Sequence, residues 1–193
     1  MSETSLQRPG ALSPKAAGTR RRMIECAEAI ILEEGIERLS MDRVAARTGM
    51  SKGAVMYHFH TKRDLLAALV ESYAEHLESR LSEAERLLGG PSDASFIPGY
   101  VAWYRGFDRN NRGWSDIGLS LLALKTRDPE LLEPVRAWYR KTFARVAAMP
   151  PERRGATLLA MMALEGFFYT HKFGLDLMAP DEKAKVLELI SCL

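Results

Sequence analysis

Between residues 40 and 63 the chain reads SMDRVAARTGMSKGAVMYHFHTKR, a stretch that leaves it few folding options. Ser40 can cap a helix by accepting a hydrogen bond from the free amides at its start. Met41 to Thr48 then set Val44 and Ala45 inward, with Asp42, Arg43 and Arg47 outward. Gly49 can take the left-handed conformation that ends a helix without a Cβ penalty. Met50 gives the turn an apolar plug. Ser51 caps a second short helix, which Lys52, Gly53 and Ala54 open and Tyr57, His58 and Phe59 close. Thr61-Lys62-Arg63-Asp64 reads as a capping box for a third helix, with Asp in place of Glu. Two short helices about one tight turn predict a helix-turn-helix. In such a unit the second helix enters the DNA major groove with its first residues at the base edges.

From about Arg20 to Leu69 the sequence resembles the TetR family of one-component repressors. Its members typically carry G-V-S-K-G-x-L-Y-x-H-F, followed by a pair ending in Lys. Here the matching residues are Gly49-Met50-Ser51-Lys52-Gly53-Ala54, Tyr57-His58-Phe59, Lys62 and Leu65. Two positions depart from that pattern. Met56 stands where an aromatic or small polar residue is common, and His60 where Pro or Gly is common. The resemblance implies a homodimer on double-stranded DNA at a palindromic operator. It also implies a C-terminal body whose small-molecule effector releases the DNA, with no cofactor.

Lys52 and Lys62 are the leading candidates for phosphate contacts, with Arg43, Arg20, Arg21 and Arg22 behind them. Ser51, Tyr57 and His58 can donate to phosphate oxygens, and the resemblance makes Tyr57 a backbone contact. Gly53, Ala54 and Met56 lie nearer the bases. Packing between the second and fourth helices is the competing account of Tyr57 and His58. A solvated face is the competing account of Arg20 to Arg22, whose charge opposes the dipole at a helix start. Phe59 suits the core.

The formal net charge of +2 names no partner, but its distribution is useful. Residues 1–63 hold 11 Lys and Arg against 7 Asp and Glu, or +4, leaving 16 against 18 and −2 for the rest. A basic front on a slightly acidic body suits a DNA-reading head. Cys26 and Cys192 give neither a disulfide framework nor metal spacing. No apolar run is long enough to span a membrane, and no signal-peptide core opens the chain, so the protein is expected in the cytoplasm. No nucleotide loop, metal cluster or nucleophile elbow argues for an enzyme, and no catalytic residue is nominated.

The rest of the chain reads as all-α. A disordered arm is expected over 1–14, a helix-turn-helix domain over 15–63, and a helical ligand-binding and dimerisation domain over 64–193. Within these, 15–34 repeats Ile24, Ala27 and Ile31 at helical spacing. Residues 62–88 carry a stripe of Leu66, Val70, Tyr73, Leu77, Leu81, Ala84 and Leu88. Further helices are expected from about Ile97 to 109, over 114–125, from Pro129 to Ala148, over 152–173 and over 181–192.

The body is aromatic. Trp103, Phe107, Trp114, Trp138, Phe168 and Tyr169 are candidate ligand contacts, with Met161 and Met162 as adaptable lining. The competing account, that most of them simply fill an all-helical core, is the favoured one for any single residue. Glu165 sits among apolar neighbours in MMALEGFFYT, so it must be paired, protonated or facing a cavity. In a cavity it would favour a cationic aromatic ligand through charge and cation–π attraction. Otherwise a hydrogen bond, or a pair with Arg105 or Arg140, would satisfy it. For dimerisation, 152–173 offers Gly155, Ala156, Ala160, Ala163 and Gly166 for close approach, with 128–148 or 181–192 beside it. Two alternatives stay open: a body that binds a protein partner, and activation in place of repression.

Overall fold

The computed structural model describes residues 13–110, 112–175 and 178–193, so most of the expected N-terminal arm lies outside the described residues. Among the described residues every element is helical and no strand occurs. No helix there is long and apolar enough to cross a membrane. The chain divides into two compact units, Met1–Leu65 and Leu66–Leu193.

The first unit holds α1 (Pro14–Glu34), α2 (Met41–Thr48) and α3 (Lys52–His58), with a 3-10 turn at Ile36–Arg38. Met23, Ala27, Ile30, Leu39, Val44, Val55 and Phe59 form its core. The caps follow the sequence. The Ser40 hydroxyl accepts from the Arg43 amide at 3.2 Å, and the Ser51 hydroxyl from the Ala54 amide at 3.1 Å. Gly49 is left-handed at φ 71°, and the next amide, of Met50, reaches back to the Ala45 carbonyl at 3.0 Å. Ion pairs tie α2 to α1: Arg47 grips Glu33 through both guanidinium nitrogens at 2.5 and 2.7 Å, and Arg43 pairs with Glu34.

α4 (Lys62–Leu87) begins at the expected capping box. The Asp64 carboxylate accepts from the Thr61 amide at 2.9 Å, and the Thr61 hydroxyl from the Asp64 amide at 3.1 Å. Leu66, Val70, Tyr73, Leu77, Leu81 and Ala84 are buried along it, whereas Leu88 is exposed. The remaining elements are α5 (Asp93–Asn110), α6 (Arg112–Leu122), α7 (Leu124–Arg127), a 3-10 turn at Pro129–Leu132, α8 (Glu133–Ala148), α9 (Pro151–Lys172) and α10 (Pro180–Ser191). α5 is central, packing on α6, α9 and α10.

Three boundaries differ from expectation. α5 starts at Asp93, four residues early, because Ser92 and Ser95 each accept from the other's amide, at 3.0 and 2.8 Å. Pro98 therefore falls in the second turn. The helix expected from Pro129 begins as a 3-10 turn, because Pro134 has no amide to continue an α-helix and its ring would clash one turn back. The 114–125 helix divides at Ala123 into α6 and α7.

Candidate functional site

α3 is short and its inner edge is fixed by Val55, which is fully buried. At about 100° per residue, the positions facing away from Val55 are Gly53 and Tyr57, flanked by Ala54 and Met56. All four are exposed, Tyr57 at 73% and Met56 at 42%. The alternative of Tyr57 packed between helices is therefore corrected: its ring stands in solvent, edge-on to His58 at 5.2 Å between centroids. His58 is half-buried and Phe59 lies in the core.

The basic candidates divide by what they already touch. Lys62, Arg21 and Arg22 are exposed. The Lys52 ammonium lies 3.0 Å from Asp42, an exposed pair. The Arg43 guanidinium pairs with Glu34, and Arg20 is half-buried with its guanidinium 5.1 Å from the centre of the Phe59 ring. Arg43 and Arg20 thus already have partners within the unit as well as adding positive charge. Surface pairs of this kind contribute little and are easily exchanged.

In the second unit Glu165 projects from α9 into a tyrosine shell. The Tyr100 hydroxyl donates to one carboxylate oxygen at 2.9 Å and the Tyr139 hydroxyl to the other at 3.1 Å. Burial, followed by the Glu165 charge, raises the Tyr73, Tyr100, Tyr139 and Tyr169 hydroxyls above the ordinary phenol range. Tyrosines of α5 and α8 thus hold the carboxylate, and its charge also reaches Tyr73 of α4 and Tyr169 of α9. Arg140, one arginine expected to neutralise Glu165, pairs with Glu133 instead. Tyr169 was nominated, but Tyr73, Tyr100 and Tyr139 were missed as partners of Glu165 because they come from three other helices, and no local spacing gathers them.

The nominated ligand contacts are not all brought together. Phe168 and Tyr169 line a small cavity with Tyr73, Leu77, Leu121 and Tyr139. At about 60 Å³ it has room for water and not for a drug-sized molecule. Trp114 stacks on His76 of α4, with centroids 4.1 Å apart and planes within 7°. Burial, then the Arg80 charge, lowers His76 to about 4. Trp103 and Trp138 are core residues with ring centroids 5.9 Å apart. The Trp138 Nε1 donor is buried with no hydrogen-bond partner among the described residues. Met161 and Met162 are corrected as a pair: adjacent helical positions point apart, so Met161 is core and Met162 is 50% exposed. Phe107 lies outside the described side chains.

A second, apolar groove of about 360 Å³ runs between α9 and α10, lined by Ala163, Gly166, Phe167, Thr170, Lys183 and Val186 among others. Leu159, Met162 and Leu189 are exposed apolar residues on the same two helices. Of the small-residue stripe, Ala160 faces the core at 1% exposure, in line with Thr157 and Leu164.

The model of the bacterial regulatory proteins of the tetR family matches residues 23–69. That of the tetracyclin repressor-like C-terminal domain matches residues 95–193, half the chain by itself. The chain belongs to the TetR family. This is a family of regulators, which answers the enzyme alternative. The HTH-type transcriptional regulator TtgR of Pseudomonas putida is 36% identical over 74 residues, 37% of this chain and 35% of TtgR. The chain spans about a third of the length of the first relatives it matches. A transcriptional regulator from Streptomyces coelicolor A3(2) superposes with a TM-score of 0.70 at 22% identity, covering 90% of this chain and 96% of that one. The multidrug binding protein EbrR complexed with ethidium gives a TM-score of 0.62 at 22% identity, covering 89% and 97%. At such identities the likeness speaks for the fold.

Proposed function

We propose that this TetR-family protein is a cytoplasmic transcriptional repressor, binding a palindromic operator as a homodimer and released by a cationic aromatic effector. Residues 15–63 serve as the DNA-reading head and 64–193 as the effector and dimerisation body. The observation that carries the effector reading is the Glu165 carboxylate inside its shell of tyrosines. A cation entering there would meet a carboxylate and several aromatic faces, the combination that recognises organic cations. EbrR, of the same fold, holds ethidium. That likeness supports the class of ligand.

The cavity that Tyr139 shares with this site holds only about 60 Å³, so an effector must widen it. A ligand that binds only the widened form shifts the population toward it. Tyr73 and Leu77 of α4 line the cavity, and the same continuous helix begins at Lys62, beside α3 in sequence. The head offers exposed Lys62, Tyr57 and Ser51 to phosphates, with Lys52, Arg43, Arg20, Arg21 and His58 around them. Two such heads on one duplex must reach half-sites about 34–36 Å apart or a multiple of that. Pairing through α9 and α10 would cover Leu159, Met162, Leu189 and the apolar groove.

The test is a mobility shift of the full chain on the DNA upstream of its own gene, across a salt series. Tetraphenylphosphonium, an organic cation with no intercalating plane, is then added. Salt-steep binding of two copies per site, reversed by the cation, is the expected result. Binding that the cation leaves intact removes the effector reading alone. Absence of binding to that fragment and to a genomic pool at low salt removes the repressor reading.

A further inference from the structure

α3 presents DNA with a face that has almost nothing to donate or accept. Its four outward positions are Gly53, Ala54, Met56 and Tyr57, all exposed. Among their side chains the Tyr57 hydroxyl is the one hydrogen-bonding group. Lys52 sits on the flank, 3.0 Å from Asp42, and His58 is half-buried against the Tyr57 ring. Guanine and adenine are read by bidentate donors and acceptors, from Arg, Lys, Asn or Gln. The outward face carries none of these.

The glycine in this face is not required by the fold. A Cβ built on Gly53 meets only the Ser51 hydroxyl oxygen, at 3.9 Å, an ordinary contact. Gly53 is the second residue of α3, where glycine still leaves the backbone freer than alanine would. A residue that loosens its own helix and relieves no clash within it points to a close approach from outside.

We infer, on the reading that this head binds DNA, that α3 recognises its half-site through thymine methyl groups. Ala54 and Met56 are the specificity-determining side chains, and Gly53 lets the helix sit low in the groove. The C5 methyl of thymine is the one apolar feature of the major-groove edge, and small or flexible apolar side chains are its complement. Met56 is unbranched and polarisable, so it can follow a methyl group without a fixed hydrogen-bond geometry. The half-site is thus specified by where methyl groups stand.

The full chain is used to select operators from a random duplex pool. The thymines of the selected half-sites are then replaced one at a time by deoxyuridine, which removes only the methyl group. Each methyl that Ala54 or Met56 covers is expected to be worth about fourfold in affinity, and deoxyuridine outside the half-sites nothing. Met56→Ala, at a 42% exposed position that leaves the core intact, is expected to abolish the deoxyuridine effect at one thymine and keep the others. Gly53→Ala is expected to leave the melting temperature unchanged or slightly higher while weakening binding. Selected half-sites that bind equally well with deoxyuridine throughout overturn the inference and leave DNA binding standing. A pool from which nothing is enriched, even at low salt, overturns both.

Discussion

The Tyr100 hydroxyl donates to Glu165 across 2.9 Å, joining residues 65 positions apart on α5 and α9. Tyr139 holds the other oxygen from α8. A hydrogen bond to a carboxylate in a partly buried site contributes roughly 1.5–3 kcal/mol. Tyr100→Phe keeps the ring and removes the donor, so it is expected to destabilise the protein by about that amount. Urea unfolding at neutral pH measures it. A midpoint unchanged from wild type would mean that water replaces the hydroxyl without loss.

The charge of Glu165 is separable from its hydrogen bonds. Glu165→Gln keeps the size but only one acceptor oxygen, so one of the two tyrosine hydroxyls must turn to accept from the new amide, at some cost in stability. What disappears is the counter-charge for an organic cation. Affinity for tetraphenylphosphonium, measured by calorimetry, is expected to fall at least about tenfold. Equal affinity in the variant would show that the charge has no part in binding.

His76 makes the body sensitive to acid. Its folded value of about 4 lies below the ordinary 6.5, because burial against Trp114 disfavours the charged ring. The unfolded chain therefore takes up the proton first. Stability that is complete above about pH 6.5 is lost as pH falls toward 4. His76→Phe keeps a flat ring on Trp114 and cannot titrate. Its unfolding midpoint is expected to change less than the wild type's between neutral pH and about pH 5. Parallel curves for the two proteins would assign the acid sensitivity to other groups.

The head was more legible than the body, for a physical reason. Ser40, Ser51 and Thr61 accept from amides three residues on, and Gly49 donates to carbonyls three and four residues back, so their roles are written locally. The register of α2 and α3 follows from those caps. The body depends on partners far apart in sequence. Glu165 is conspicuous because its neighbours are apolar, but Tyr100 and Tyr139 become its partners only once α5, α8 and α9 pack. Glu85 gave no signal, since in SEAERLL it looks like any surface acid. The α5 start was misplaced for a smaller reason: Ser92 and Ser95 form a cap without the Glu or Gln that marks a capping box.

Glu85 is 2% exposed, and both its oxygens are held by Arg145, at 2.7 and 3.0 Å. Gly99 makes room for it: a Cβ there would lie 2.8 Å from the Glu85 side chain. Removing one partner of such a pair leaves an uncompensated charge, at about 3–5 kcal/mol. Arg145→Met is expected to cost that much in urea unfolding. Adding Glu85→Gln to the same chain is expected to restore most of it, since no buried charge then remains. Double-variant stability no better than the single variant's would locate the loss in Arg145 packing over Phe96, 4.8 Å away.

Lys52 and Asp42, joined at 3.0 Å across the exposed faces of α2 and α3, set up a competition that DNA can resolve. The pair contributes little to the free protein. When phosphates approach, Lys52 gains by releasing a counterion, while the Asp42 charge repels them. Lys52→Ala and Lys62→Ala are each expected to lower the slope of log affinity against log salt by about 0.9 per bound protomer, or about 1.8 for the dimer on its operator. Asp42→Asn should act in the opposite sense: binding tightens, because Lys52 is freed and a repulsive charge is gone. A salt series on one operator fragment compares the three variants. Asp42→Asn binding more weakly than wild type would show that Asp42 orients Lys52 for its phosphate and does not compete for it.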